Sequence, residues 1–300
     1  MNIASRLRAS SVVAFAAASV LLLSHAAARA QVAQPSPTPA PNSPERPADP
    51  KLPTLFVVGD STANNNANGA QGWGDPFKGY FDVRKINVVN RARAGRSSRT
   101  FLTEGLWDRV LQDVKRGDYV LLQFGHNDGG PLDTGRARGS LPGLGEETKE
   151  IAKPDGTKEV VRTFGWYNRK FIADVRAKGA TPIILSLTVR NIWKDGRVER
   201  GSGNFRQWAE ELARAERVEF VDVTNIVADK YEALGQEKVK ALFGPDHTHT
   251  SPAGAEFNAA SVVAGLKALR GNPLGKYFSA KAKEVAAYKP SQANGTEKTK

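Results

Sequence analysis

The chain has 300 residues, and 43 Lys and Arg against 31 Asp and Glu give it a formal charge of +12. Its 40% hydrophobic and 25% charged content is ordinary for a globular protein and excludes a wholly disordered or collagen-like chain. The absence of cysteine excludes a disulfide scaffold, a Cys-ligated zinc site and a thiol nucleophile, and a single methionine excludes a Met-rich binding groove.

Arg6 and Arg8 precede an apolar run over residues 12–23, and Ala28-Arg29-Ala30 supplies an A-x-A pattern. This order predicts a secretory signal peptide over 1–30, cut after Ala30, and hence export to the periplasm or beyond the cell. An uncleaved anchor is the alternative, but the apolar run is short for a membrane span. Cleavage removes Arg6, Arg8 and Arg29 and no acid, so the charge falls by three to +9. Such a charge favours acidic partners, with nucleic acid, anionic membrane and polyuronate all candidates, and it equally fits plain surface solvation. Residues 31–53 hold eight prolines, which predicts an extended linker without helix or central strand.

A single domain is expected over 54–285. Apolar runs without alternation at 55–58, 86–89, 119–124, 182–187 and 218–223 predict strands covered on both faces, as in a parallel sheet. Helical periodicity at 106–115, 164–178, 205–215 and 253–269 alternates with them, which argues for a doubly wound α/β sandwich. Residues 129–161, rich in glycine and charge, interrupt the alternation and predict a long excursion over one end of the sheet. The tail 286–300 is polar and aperiodic, predicts disorder, and includes a glycosylation-type triplet at Asn294-Gly295-Thr296.

Ligands of open α/β sheets bind beyond the carboxyl ends of the strands, so the residues there carry the functional expectation. Gly59-Asp60-Ser61-Thr62 follows the first strand, and Ser61 is either a nucleophile or a helix cap. Gly95, within Arg93-Ala94-Gly95-Arg96-Ser97-Ser98, allows close backbone approach or an ordinary turn. Asn127, within Gly125-His126-Asn127-Asp128, suits an oxyanion donor or an Asx turn. Asp246-His247-Thr248-His249 offers a histidine base with an acid three residues away, or a braced helix entry. One chemistry uses all four segments: a nucleophile, its base, the base's acid and oxyanion donors. A zinc reading of His126, His247, Asp246 and His249 leaves Ser61, Gly95 and Asn127 without a role.

With these residues in place, the chain resembles the SGNH, or GDSL-like, hydrolases from about residue 55 to 269. The matching residues are Gly59-Asp60-Ser61, Gly95, Gly125-x-Asn127-Asp128 and Asp246-x-x-His249. The fuller strings, Thr62 and Phe124-Gly125-His126-Asn127-Asp128 among them, are similar to the rhamnogalacturonan acetylesterase group. The resemblance implies a three-layer α/β/α sandwich with a central parallel, flavodoxin-like sheet. It also implies a serine esterase that removes acetyl groups from pectin, with Ser61, Asp246 and His249 catalytic. The Ser61 and Gly95 N–H groups and the Asn127 side chain would form the oxyanion hole, with no metal or cofactor. The implied partner is an acetylated polysaccharide, polyanionic in the pectic case, rather than nucleic acid or membrane, and a monomer is expected. An esterase of the same superfamily acting on acetylated xylan or another short acyl ester is the alternative, with a non-enzymatic polysaccharide-binding module as a distant third. Arg93, Arg96, Arg99 and Arg190 are candidates for meeting sugar carboxylates, and helix capping or surface roles fit them equally. Trp73, Trp166 and Trp193 are candidates for stacking on sugar, against half-buried core positions.

Overall fold

The computed structural model describes residues 48–290, apart from Ser202 and Pro245. The predicted signal peptide, most of the proline-rich stretch and the triplet at 294–296 lie outside the described residues. In chain order the strands are β1 (Thr54–Gly59), β2 (Asn87–Asn90), β3 (Tyr119–Gln123), β4 (Thr148–Ala152), β5 (Lys158–Arg162), β6 (Thr181–Leu185), β7 (Trp193–Lys194), β8 (Arg197–Val198) and β9 (Glu219–Val221). The helices are α1 (Gly74–Phe77), α2 (Ser98–Thr103), α3 (Leu106–Asp113), α4 (Phe164–Ala177), α5 (Phe205–Glu216), α6 (Val223–Leu234), α7 (Gln236–Lys240), α8 (Pro252–Ala268) and α9 (Ala280–Lys283). Among the described residues no helix is long and apolar enough to cross a membrane.

Five strands form a parallel sheet in the order β2-β1-β3-β6-β9, the flavodoxin-like winding. Helices cover both faces, which is why these strands read as unbroken apolar runs. Along β1, Leu55 and Val57 join Leu121, Ile183 and Leu185 beneath α1, α6 and α8, where Phe77, Ile226 and Val262 are buried. Phe56 and Val58 point the other way, with Val120, Leu122 and Ile184, onto Phe101 of α2, Trp107 of α3, Phe171 of α4 and Leu212 of α5. The result is the expected three-layer α/β/α sandwich. Its strand order reverses between β1 and β3, and there the chain leaves adjacent strands in opposite directions across the sheet.

Several boundaries differ from expectation for local reasons. The apolar run 218–223 is not one strand: Asp222 caps α6 by accepting from Asn225 N at 3.2 Å, so β9 ends at Val221 and a helix starts at once. At the start, Asp49 exchanges hydrogen bonds with Asn87, donating to Oδ1 at 2.9 Å and accepting from Nδ2 at 2.8 Å. The last residues of the proline-rich stretch therefore dock on β2. Past 285, Tyr288 donates from its hydroxyl to Asp229 at 2.6 Å and from its N–H to the Ala264 carbonyl at 3.0 Å, so packing extends beyond that boundary.

The excursion is ordered and carries an antiparallel β4–β5 hairpin with Ile151 and Val161 buried. Its anchor is Arg99 of α2, which is fully buried. Arg99 grips Glu159 with Nε at 2.7 Å and Nη2 at 3.0 Å, while Nη1 donates to the carbonyls of Leu132 (2.9 Å) and Gly139 (2.8 Å). One guanidinium thus ties both ends of the excursion to the sandwich with four charge-assisted bonds. Replacing it by Arg99→Met leaves two carbonyls without their donor and a largely buried carboxylate with only Lys153 Nζ at 3.7 Å. The expected cost is about 3–5 kcal/mol, or a fall of about 10 °C in Tm by thermal unfolding.

Candidate active site

The site forms where β1, β2 and β3 end. Asp60 shapes the first turn: its Oδ1 accepts from Thr62 N (2.9 Å) and Thr62 Oγ1 (2.8 Å), and its carbonyl accepts from Ala63 N and Asn64 N. This Asx-type turn lifts Ser61 out of the sheet at the point where the chain leaves β1. Below it, Gln123 at the end of β3 accepts from Trp73 Nε1 at 2.8 Å and donates to the Ser186 carbonyl at 2.8 Å. Gly59 abuts the same strand end, where a Cβ would lie 2.7 Å from the Gln123 carbonyl oxygen. A larger residue there would push the Ser61 turn off the sheet.

Ser61 Oγ lies 2.9 Å from His249 Nε2, and His249 Nδ1 lies 2.7 Å from Asp246 Oδ2. The other Asp246 oxygen accepts from the backbone N–H groups of Thr248 (2.7 Å) and His249 (2.8 Å). Burial pushes the Asp246 carboxyl up, but the hydrogen bonds from the His249 ring and these two N–H groups outweigh it and hold it at about 2. Asp246 is therefore an anion at any neutral pH and a fixed acceptor for the histidine. Three ties position this loop. Gly244 N donates to the His249 carbonyl at 2.8 Å. Gln71 N donates to the Thr250 carbonyl at 2.8 Å, joining the histidine loop to the segment after Ser61. Asn191 N donates to the His247 carbonyl at 2.7 Å.

Gly95 takes a left-handed backbone, φ +78°, in the turn after β2. Among the described residues neither its N–H nor that of Ser61 is taken by a backbone acceptor in the loops. Asn127 is nearly buried and donates one Nδ2–H to the Arg96 carbonyl at 2.8 Å, which orients the carboxamide and leaves the second N–H for a ligand. Ser61, Gly95, Asn127 and His249 all line one open cleft of about 720 Å³. All five site residues expected from the sequence, Ser61, Gly95, Asn127, Asp246 and His249, are thus brought together. What such an arrangement can do is attack a carbonyl and hold the resulting oxyanion.

The readings that the sequence left open are decided here. Trp73 is wholly buried beneath the site, Trp166 stacks under Arg162, and Trp193 donates to Asn191, so none of the three lines the cleft. Arg99 is the buried anchor already described, and Arg93 is exposed outside the cleft. Arg96 and Arg190 do line it, joined by Arg136 and Arg138 of the excursion, which sequence reasoning passed over. Their signal was available: two arginines two apart, bracketed by glycines, in a long loop over a strand end. His247 is exposed, and among the described residues no group of three or more His, Cys, Asp or Glu side chains is placed to hold a metal ion. His126 lies beside the site; its burial, then Arg190 and His249, draws its pKa down against the pull of Asp60, and the ring is neutral.

Asp128 joins the second and third segments. Its carboxylate accepts from Ser98 N at 3.1 Å, from the Ser98 hydroxyl, and from Ser140 Oγ at 3.1 Å. Burial, aided by Asp60, drives its pKa up to about 6 against these hydrogen bonds. A folded pKa above the unfolded one makes the protonated form the more stabilising. Its contribution is therefore full below about pH 4 and is lost as pH rises through about 6. Asp128→Asn removes this titration: the Tm of wild type, measured relative to the variant, should fall between pH 4 and pH 7, by the equivalent of about 3 kcal/mol.

Known proteins resemble this chain in sequence and in fold. The profile of the GDSL-like Lipase/Acylhydrolase family matches residues 57–257. The rhamnogalacturonan acetylesterase of Emericella nidulans is 36% identical over 202 residues, covering 67% of this chain and 80% of that one. The rhamnogalacturonan acetylesterase RhgT of Bacillus subtilis is 30% identical over 238 residues, covering 73% and 91%. Among solved structures, the Bacillus subtilis protein YxiM superposes with a TM-score of 0.57 at 24% identity. That match covers 79% of this chain and only 58% of YxiM, and it shows a shared fold.

Proposed function

The chain belongs to the GDSL-like lipase/acylhydrolase family, a family of carboxylic ester hydrolases, and from that premise we propose that it is a serine carbohydrate esterase that removes O-acetyl groups from a plant cell-wall polysaccharide, with acetylated rhamnogalacturonan as the substrate. The observation that carries the reading is the continuous hydrogen-bonded series from Ser61 through His249 to Asp246, opening into the cleft that Gly95 and Asn127 also line. The substrate assignment is supported by the names of the two acetylesterase relatives. Export over residues 1–30 and a monomeric state belong to the same proposal.

In this mechanism Ser61 Oγ attacks the acetyl carbonyl while His249 Nε2 takes its proton. Asp246, held ionised, keeps the imidazole oriented through Nδ1 and stabilises the imidazolium. The Ser61 and Gly95 N–H groups and the free Asn127 N–H bind the tetrahedral oxyanion. His249 then returns the proton to the sugar oxygen, the C–O bond breaks, and the acetyl group stays on Ser61. Water, deprotonated by His249, attacks the acetyl-enzyme; acetate leaves and Ser61 regains its proton. No step calls on a cofactor.

Acetate release from acetylated rhamnogalacturonan, acetylated xylan and a small aryl acetate tests both parts. The expected result is preference for the pectic polymer, with Ser61→Ala losing at least about a thousandfold in kcat. Serine-dependent release from xylan alone would keep the chemistry and overturn the substrate. Asn127→Ala is expected to lower kcat about 10²- to 10³-fold; a loss under about threefold would demote Asn127 to a turn residue.

A further inference from the structure

The cleft is lined by four guanidiniums, from Arg96, Arg136, Arg138 and Arg190, and by one carboxylate, Glu104. Arg96 is committed: its Nε donates to Glu104 at 2.8 Å and its Nη1 to the Ala94 carbonyl at 2.9 Å. Among the described residues the other three form no ion pair. Arg138 donates Nη1 to the Gly95 carbonyl at 3.1 Å, which fixes the plane of the guanidinium and leaves its remaining donors open. Arg190 brings a buried Nε with no acceptor from the loop after β6. A buried donor of that kind costs free energy unless a ligand satisfies it.

Arg136 and Arg138 converge. A single point above Gly95, where a Cβ would sit, lies 3.6 Å from Arg138 Nη1 and 3.8 Å from Arg136 Nη1. Two like charges are thus held over the residue whose N–H faces the acyl centre, and the buried Asp60 and Asp128 beneath offset Arg138. The turn that presents them is strained. Ala137, between the two arginines, is buried and has φ +44°, a left-handed backbone that costs a non-glycine residue roughly 1–2 kcal/mol. The turn is held by Ala137 N on the Thr134 carbonyl (2.8 Å), Gly139 N on the Pro131 carbonyl (2.8 Å), and Arg99 from below through Gly139 O. Strain and unpaired charge at one place are marks of a preorganised anion site.

We propose that Arg136 and Arg138, with Arg190, form a carboxylate-binding subsite beside the acyl centre, which selects acetyl esters on sugars that bear a carboxylate on the acetylated ring or the next one. The proposal rests on the polysaccharide acetylesterase reading above and adds to it the residues that recognise acidity. The planar arginine fork suits a sugar carboxylate, which it grips with paired hydrogen bonds. The site orients the polymer, and the bond broken remains the acetyl ester at Ser61.

The test compares acetylated rhamnogalacturonan in its free-acid form with the same polymer after methyl esterification of its carboxylates. The quantity read is the ratio of kcat/KM on the two forms, for wild type, for the double variant Arg136→Gln/Arg138→Gln, and for Arg138→Lys. Because both substrates meet the same enzyme preparation, a loss of folded protein cancels in the ratio. Wild type is expected to favour the free acid at least about tenfold, the worth of a hydrogen bond to a charged group. That preference should shrink as salt rises. The double variant should bring the ratio near one, and Arg138→Lys should keep part of it. A wild-type preference that survives in the double variant overturns the subsite and leaves the acetylesterase reading standing. Equal rates on both forms in wild type overturn it as well. Release from acetylated xylan but from neither pectic form overturns the subsite and the substrate reading together.

Discussion

The reversal of strand order between β1 and β3 is the constraint on which the site depends. At that point the chain leaves neighbouring parallel strands toward opposite layers, and no helix can cover the gap. Ser61 and Asn127 emerge on the two sides of it, while Gly95 follows β2 at the outer flank. The pairing of Gly59 with Gln123 sets their relative height, and the buried Gln123 amide carries that register down to Trp73 and Ser186. The histidine arrives from far along the chain, and its loop is fastened to the first segment by Gln71 and Thr250 rather than by its own helix. The catalytic geometry is therefore a property of strand ends and their cross-ties.

Burial beneath the site follows from this placement. Asp60 and Asp128 are buried beneath the cleft, each used to shape a turn or join two segments, while His126 lines it. Asp60 orders the Ser61 turn, and Asp128 locks the start of α2 to the excursion through Ser98 and Ser140. A carboxylate that is costly to bury is kept because it accepts several donors at once. Arg99 serves the excursion in the same way, and through it the turn that carries Arg136 and Arg138. The surface that carries Arg136 and Arg138 is thus braced from the sandwich.

How much of this was legible in the sequence varied with how directly local pattern reports tertiary context. The inner strands β1, β3 and β6 were readable because burial on both faces leaves no polar alternation, while the half-buried edge strands β2 and β9 showed only short apolar cores. The site residues were readable because Ser61, Gly95 and Asn127 follow strand ends and Asp246 and His249 sit in a loop opening α8, and because one chemistry needs these types together. Helix α6 was not: Val223 continues the apolar run of β9, and only the single cap at Asp222 separates them. The β4–β5 hairpin was missed because most of its side chains face solvent, so burial of Ile151 and Val161 leaves little pattern. Its turn, Lys153-Pro154-Asp155-Gly156, was nevertheless a recognisable reversal signal. The tryptophans stayed open between sugar stacking and core because an aromatic near a motif is consistent with either, and Trp73 resolved to core through its bond to Gln123.

The proposed acyl transfer is tested most directly by trapping the intermediate. Wild-type protein mixed with an aryl acetate and quenched in acid within one turnover can be digested and its peptides weighed. The expected result is one acetyl group on the peptide containing Ser61, formed in a burst and absent when His249 is replaced by Ala. An acetyl group on another residue, or full turnover with none on Ser61, would contradict it.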